Sequence, residues 1–247
     1  MTVKEVYEFL DEKFPFNTAL QYDNPGLLVG DENAKVTGVI TCLDCSDEAI
    51  SKAVEIGANL MVTHHPLIFK PLSSVTADSL VYRLIRNGIS LISVHTNLDV
   101  GDGGVNDCLC KTIGLENVEK IYDGEGYAFR MGELKEPMDS DSLAELLSEK
   151  LNLRVKYVGE SAFIKKVAVS SGSCGDLLDE VLKTEADAFV TADVKHNHFC
   201  DAHNEGFTLF DCGHFNTEDV VIAPLTELLK TLDLKVYDFH FSPIKYK

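Results

Sequence analysis

No stretch of this chain stays apolar for anything near the ~20 residues that a membrane-spanning helix needs. Basic residues are scarce as well: 22 Lys and Arg stand against 40 Asp and Glu, for a net charge of −18. They gather in no cluster of the kind that phosphate backbones require. Neither a membrane nor a nucleic acid is therefore expected as a partner. An acidic chain still takes a small anionic molecule when bound metal ions bring the positive charge. Low-complexity segments are absent, and so is a basic-then-apolar leader: Met1-Thr2-Val3-Lys4-Glu5 runs straight into a helical pattern. A cytoplasmic protein is expected. Seven cysteines, an odd number in 247 residues, fit reduced thiols better than a disulfide framework.

What is there is the composition of a soluble globular protein, 45% apolar and 25% charged, long enough for one large domain or two ordinary ones. Residues 3–14 form a helical pattern with Val6, Phe9 and Leu10 on one face. Residues 36–43 read as a strand. Ser46 then caps a helix that Gly57 ends, and the next strand, 59–63, finishes at His64-His65-Pro66. Strand, helix, strand with short joins is a βαβ unit, which implies parallel strands. A further helix at 79–86, a strand at 89–94, a helix at 105–113 and a last strand at 118–122 follow.

The second half repeats the first. Residues 36–63 superpose on 164–191 at a constant offset of 128, with Val39 on Val167, Ile50 on Leu178 and Val62 on Val190. Gly88-Ile89-Ser90-Leu91 falls on Gly206-Phe207-Thr208-Leu209 at an offset of 118. The expected fold is α/β, with two similar lobes from an internal duplication, each a mostly parallel or mixed sheet flanked by helices. The lobes are placed at residues 1–124 and 125–247. The last helix, 220–232, and strand, 234–241, either match the helix and strand that end the first half or pack on the first lobe instead.

Ligands of α/β sheets bind beyond the carboxyl ends of parallel strands. His64 and His65 follow one strand, and His95 and Asp99 follow another. Asp211, Cys212, His214 and Glu218 follow a third. Adjacent strand residues point to opposite faces, so for His64 and His65 to serve one site the strand must end at them. Pro66 favours that, since it cannot donate to a ladder. Asn216 or Thr217 would cap a helix holding Glu218 in its first turn. Such imidazoles and carboxylates suit one or two borderline ions such as zinc, iron, manganese or nickel.

Three stretches resemble the signatures of the type 2 GTP cyclohydrolase I homologs, also described as the NGG-interacting-factor-three-like family. They are Thr63-His64-His65-Pro66-Leu67-Ile68-Phe69, His95-Thr96-Asn97-Leu98-Asp99 and Gly213-His214-Phe215-Asn216-Thr217-Glu218. Asp23-Asn24-Pro25-Gly26-Leu27 and Ser46-Asp47-Glu48-Ala49 resemble its other recurrent stretches. The resemblance implies two related lobes, a dinuclear metal site between them and a ring-shaped homohexamer. It implies His64, His65, Asp99, His214 and Glu218 as ligands of two divalent ions, with Glu218 bridging and His95 near the site. The activity it implies is that of a metal-dependent hydrolase acting on GTP or another small polar substrate through a metal-activated water, with His95 or His196 moving protons. The non-enzymatic alternative is a protein that stores or delivers metal, or a scaffold. Thr191-Ala192-Asp193 departs from a family Thr-Gly-Asp or Thr-Gly-Glu turn by its alanine.

Other features have plainer readings. Cys42-Leu43-Asp44-Cys45 resembles a redox pair, but it has no second copy, and partly buried free thiols are expected. Asp44 and Asp193 either orient ligands or, for Asp44, cap a helix. His196 and His198 either line the cavity or sit at a boundary.

Overall fold

A computed structural model describes residues 1–124 and 126–245. Glu125, with which the second lobe was expected to begin, and Tyr246 and Lys247 lie outside the described residues. In chain order the elements begin with α1 (Val3–Lys13), β1 (Gly26–Val29), β2 (Val39–Cys42), α2 (Asp47–Ile56), β3 (Leu60–Thr63), α3 (Leu80–Arg86), β4 (Ser90–Ser93), α4 (Thr96–Val100) and α5 (Val105–Ile113). Next come β5 (Glu116–Tyr122), β6 (Ala128–Met138), α6 (Ser140–Leu151), β7 (Lys156–Val158), β8 (Ile164–Val169), α7 (Leu178–Val181) and β9 (Ala188–Thr191). The chain closes with α8 (His196–Asn204), β10 (Thr208–Asp211), α9 (His214–Glu218), α10 (Ile222–Lys230) and β11 (Val236–Phe239). Among the described residues no helix is long and apolar enough to cross a membrane.

Helices α1, α2, α3 and α6 start where a side chain accepts from an orphan backbone amide. Thr2 and Glu5 form a reciprocal capping box on α1. The Ser46 hydroxyl accepts from the Ala49 amide to open α2, and Gly57 closes it in the left-handed region at φ 71°. Every residue of β2, β3 and β4 is buried, so both faces of these strands are covered. Each fully buried Val, Leu or Ile contributes ~1.5–3 kcal/mol relative to exposure.

The chain falls into two compact units, Met1–Asp102 with Val221–Lys247, and Gly103–Val220. Unit 1 holds a mixed sheet in the order β1-β4-β3-β2-β11, parallel except for the edge strand β1. Unit 2 holds the order β5-β6-β8-β9-β10-β7, in which only β8, β9 and β10 run parallel. Helices flank both sheets, and the protein is α/β. The repeat is visible in the pairing itself. Thr41 pairs with Val62, and Val169 with Val190, each 128 positions on. Thr63 pairs with Ser93, and Thr191 with Asp211, where the second offset has become 118.

The units do not follow the expected division at residue 124. Helix α5 and strand β5, expected to end the first half's lobe, belong to unit 2. There Leu109, Cys110 and Ile113 join the core of Leu143, Leu147, Val167 and Phe210. Helix α10 and strand β11 belong to unit 1, as the sequence left open. Strand β11 pairs parallel with β2 from Val236 on Val39 to Phe239 on Cys42. It does not mirror β5, which runs antiparallel to β6. Strand β6, eleven residues long, and the short β7 were not expected. The first seven residues of β6 are buried but for a half-buried Glu133, so no alternation marks it as a strand.

Candidate metal centre

Unit 1 gathers candidate ligands and their partners at the ends of β2, β3 and β4. The ladder continues past β3, because the His64 amide donates to the Cys42 carbonyl and the His65 amide to that of Leu43. The Ser93 hydroxyl donates to the His64 carbonyl, and the Thr63 hydroxyl to that of His65. Pinned in this way, the two imidazoles stand with ring centroids 4.9 Å apart. His95, which follows β4, completes a triangle at 5.1 Å from His64 and 5.5 Å from His65. One nitrogen of each ring lies within 4.8 Å of the others. After His95 the chain turns into the five-residue α4, held by Asn97, whose amide donates to the Phe14 carbonyl. That turn returns buried Asp99 to the site, with Oδ1 3.6 Å from His64 Nε2.

Unit 2 gathers its own set after β8, β9 and β10. Gly213 leaves β10 at φ 69°, and α9 begins at once with His214. Asn216 and Thr217 therefore lie inside the helix, and Glu218 is its last residue, not part of its first turn. The Thr217 hydroxyl donates back to the Gly213 and His214 carbonyls and accepts from the Gly172 amide. One helical turn separates His214 from Glu218 and sets Nε2 3.0 Å from Oε2. Glu218 is 4% exposed, and a carboxylate buried that deeply needs a cationic or hydrogen-bonding partner. Gly172, in the loop after β8, comes so close that a Cβ on it would lie 2.1 Å from Glu218 Oε1.

The four histidines share one arrangement. His64 Nδ1 lies 2.9 Å from the Val94 carbonyl, His65 Nδ1 2.8 Å from Asp44 and His95 Nδ1 2.8 Å from Asp23. His214 Nδ1 lies 2.7 Å from Asp193. Each of these oxygens can only accept, so Nδ1 is the donor in every ring and Nε2 is the nitrogen left for a ligand. This is how metal-binding histidines are oriented by outer partners. Asp44 thus holds His65, and Ser46 is the cap of α2. In both units a carboxylate at one strand end holds the imidazole at the next: Asp44 after β2 and His65 after β3, Asp193 after β9 and His214 after β10.

In the sequence Asp23 stands out only within the family-like stretch Asp23-Asn24-Pro25-Gly26-Leu27. Its side chain is fully buried and also accepts from the Thr96 amide and hydroxyl. Burial alone would raise its pKa, but the hydrogen bonds from His95 and Thr96 and the charge on His95 bring it down to about 2. Cys45 goes the other way, pushed up to about 12 by burial and by Asp44 and Asp47. A thiol so reluctant to ionise is a poor redox nucleophile. His196 opens α8, exposed, with Nε2 3.6 Å from Cys200 Sγ. His198 points Nε2 at Asp176 Oδ1, 3.2 Å away.

Residues 1–246 match the model of the family described as Duf34/NIF3 (NGG1p interacting factor 3). The chain is 34% identical over 240 residues to a GTP cyclohydrolase 1 type 2 homolog of Clostridium perfringens, covering 93% of this chain and 92% of that one. It superposes on the crystal structure of Staphylococcus aureus protein SA1388 with a TM-score of 0.93 at 31% identity, covering 100% of this chain and 99% of that one. Reduced HcgD from Methanocaldococcus jannaschii gives a TM-score of 0.85 at 30% identity over 98% of each chain. With its fold, its His-His-Pro strand end and its Gly-His-x-x-Thr-Glu helix all in place, the chain belongs to the Duf34/NIF3 family.

Proposed function

We propose that the chain binds two divalent metal ions and acts as a metal-dependent hydrolase on GTP or a related small polar substrate. The proposed ligands are His64, His65 and Asp99 from unit 1 and His214 and Glu218 from unit 2. The observation that carries this reading is the shared orientation of the histidines, each with Nδ1 on an oxygen, which leaves Nε2 for a metal. A histidine needed only for packing or surface charge has no reason to be fixed in that orientation. The donor set of imidazoles and carboxylates suits zinc, iron, manganese or nickel. When bound, such ions would supply Lewis acidity toward the substrate and toward water.

His95 is the residue proposed to move protons. Its ring is held by ionised Asp23, and an imidazole takes up and releases protons near neutrality. The name GTP cyclohydrolase 1 type 2 homolog, borne by the clostridial relative, supports a nucleotide substrate. A cytoplasmic homohexamer is part of the same proposal and rests on the resemblance of the motifs. Metal storage or delivery is the second reading. It is favoured by the partial exposure of the His65 and His214 side chains, 23% and 31%, through which ions can exchange.

Elemental analysis of the purified protein, followed by a substrate screen that includes GTP, tests both readings. About two ions per chain are expected, with turnover, and with both lost in a folded His65→Ala variant. A metal-loaded protein inert toward every nucleotide and simple ester assigns the site to storage or delivery. Full activity in a metal-free preparation refutes the hydrolase reading.

A further inference from the structure

His196 and Cys200 stand one helical turn apart on α8, both exposed. His196 Nε2 lies 3.6 Å from Cys200 Sγ, and among the described residues neither side chain has another hydrogen-bonding or ionic partner. As a hydrogen bond this contact holds little, since a thiol is a weak donor and water competes for the ring nitrogen. As the edge of a coordination tetrahedron it fits closely. Bonds of ~2.3 Å to sulfur and ~2.0–2.1 Å to nitrogen at the tetrahedral angle place the two donors about 3.5–3.6 Å apart. The i, i+4 spacing on a nine-residue helix presets that separation, so an ion finds the chelate already assembled.

The surroundings favour a cation. Lys195, next to His196, keeps its ammonium on Asp176 at 3.0 and 3.2 Å, which offsets its charge. Asp201 is exposed beside Cys200, and the whole chain carries −18. His203 follows Cys200 by three residues and is also exposed. It lies on the same stripe of the helix, where a change of rotamer offers a third donor.

We infer that His196 and Cys200 form a surface site for one soft or borderline divalent cation of the zinc type. Its thiolate sets it apart from the imidazole and carboxylate ligands proposed above. On binding, the Cys200 S–H bond breaks as the sulfur–metal bond forms, and the proton leaves to solvent. The neutral imidazole binds through Nε2, and water fills the remaining positions.

Cobalt(II) titration of the full chain tests this, because sulfur–cobalt bonds give a charge-transfer absorption that imidazole and carboxylate ligands cannot produce. The expected result is a band that saturates near one equivalent beyond any cobalt taken by the imidazole and carboxylate ligands proposed above, and that disappears in Cys200→Ser. In His196→Ala it should need at least about tenfold more cobalt, since the chelate becomes a single donor. It should be unchanged in Glu218→Gln, so failure of the dinuclear reading leaves it intact. Absence of the band, its survival in Cys200→Ser, or an unchanged affinity in His196→Ala overturns the site. Both side chains are exposed, so the variants are expected to fold, and far-ultraviolet circular dichroism checks this.

Discussion

Replacing Gly172 by alanine would set a methyl group 2.1 Å from Glu218 Oε1 and 3.1 Å from its Cδ. Ordinary contact begins near 3.4 Å, so the oxygen would have to retreat by about 1.3 Å. Metal–ligand bonds tolerate only ~0.2 Å, and Glu218 could not retreat that far and keep an ion. The alanine also sits at φ +64°, which costs ~1–2 kcal/mol for a residue with a Cβ. Gly206 provides the control, with φ +66° and nothing within 4 Å of its added methyl. Both variants should lose the same ~1–2 kcal/mol of backbone stability. Only Gly172→Ala should also lose bound metal and the rise in melting temperature that metal binding brings. Metal content by elemental analysis and thermal unfolding with and without added metal would read this out. Pairing Gly172→Ala with Glu218→Ala should give a coupling energy of about 1 kcal/mol or more, because the collision disappears with the carboxylate. If Gly172→Ala keeps its metal as well as Gly206→Ala does, the reasoning fails.

The exposed carboxylates behind His65 and His214 should matter for metal and hardly at all for folding. Asp44 and Asp193 have side chains 51% and 55% exposed, and ion pairs that open to water contribute ~0–1 kcal/mol. Asp44→Ala should leave the melting temperature of the metal-free protein nearly unchanged while weakening metal binding ~10–100-fold in a chelator competition. Asp193→Asn should weaken it less, since an amide oxygen still accepts the hydrogen bond but carries no charge. Asp23 links the site to pH. Its folded-state pKa of about 2 lies below the ordinary carboxylate value of 3.8, so its contribution is present above pH 4 and fades as pH falls toward 2. The shift corresponds to about 2 kcal/mol. Denaturant titrations of the metal-free protein should show Asp23→Asn less stable by that order at pH 6, with the gap narrowing at pH 3. A gap that does not change with pH would contradict this assignment.

Much of the framework is legible in the residues. The offset of 128 works because β2, α2 and β3 are all local, and each strand's apolar residues repeat with its copy, so the alignment reproduces the strand register. Strand ends were legible for the same reason, and with them the positions of His64, His65, His95 and His214. Long-range choices were not. Leu109 and Cys110 on α5, or Leu225 and Leu229 on α10, declare an apolar face without declaring which core it covers. Strand β6 escaped notice because Arg130 and Gly132 interrupt its apolar residues. Arg130 is 1% exposed, and its guanidinium is paired with Asp107, a partner no local window contains. Gly172 was hidden in the same way: its importance lies in a carboxylate 46 positions further along.

The placement of β11 has a consequence for how the chain reaches its fold. Unit 2 is one continuous segment and can form as soon as residue 220 has been made. Unit 1 cannot, because Val39 waits for Val236, 197 positions later, to complete its parallel pairing. Until then β2 is an exposed edge, with Val39, Ile40 and Cys42 open to pairing with another chain. At a synthesis rate of ~5–20 residues per second that wait lasts ten seconds or more. The half of the molecule that begins first is thus the half that finishes last. Truncation before Val236 should damage the early His64-His65 end of the chain more than the late His214-Glu218 end.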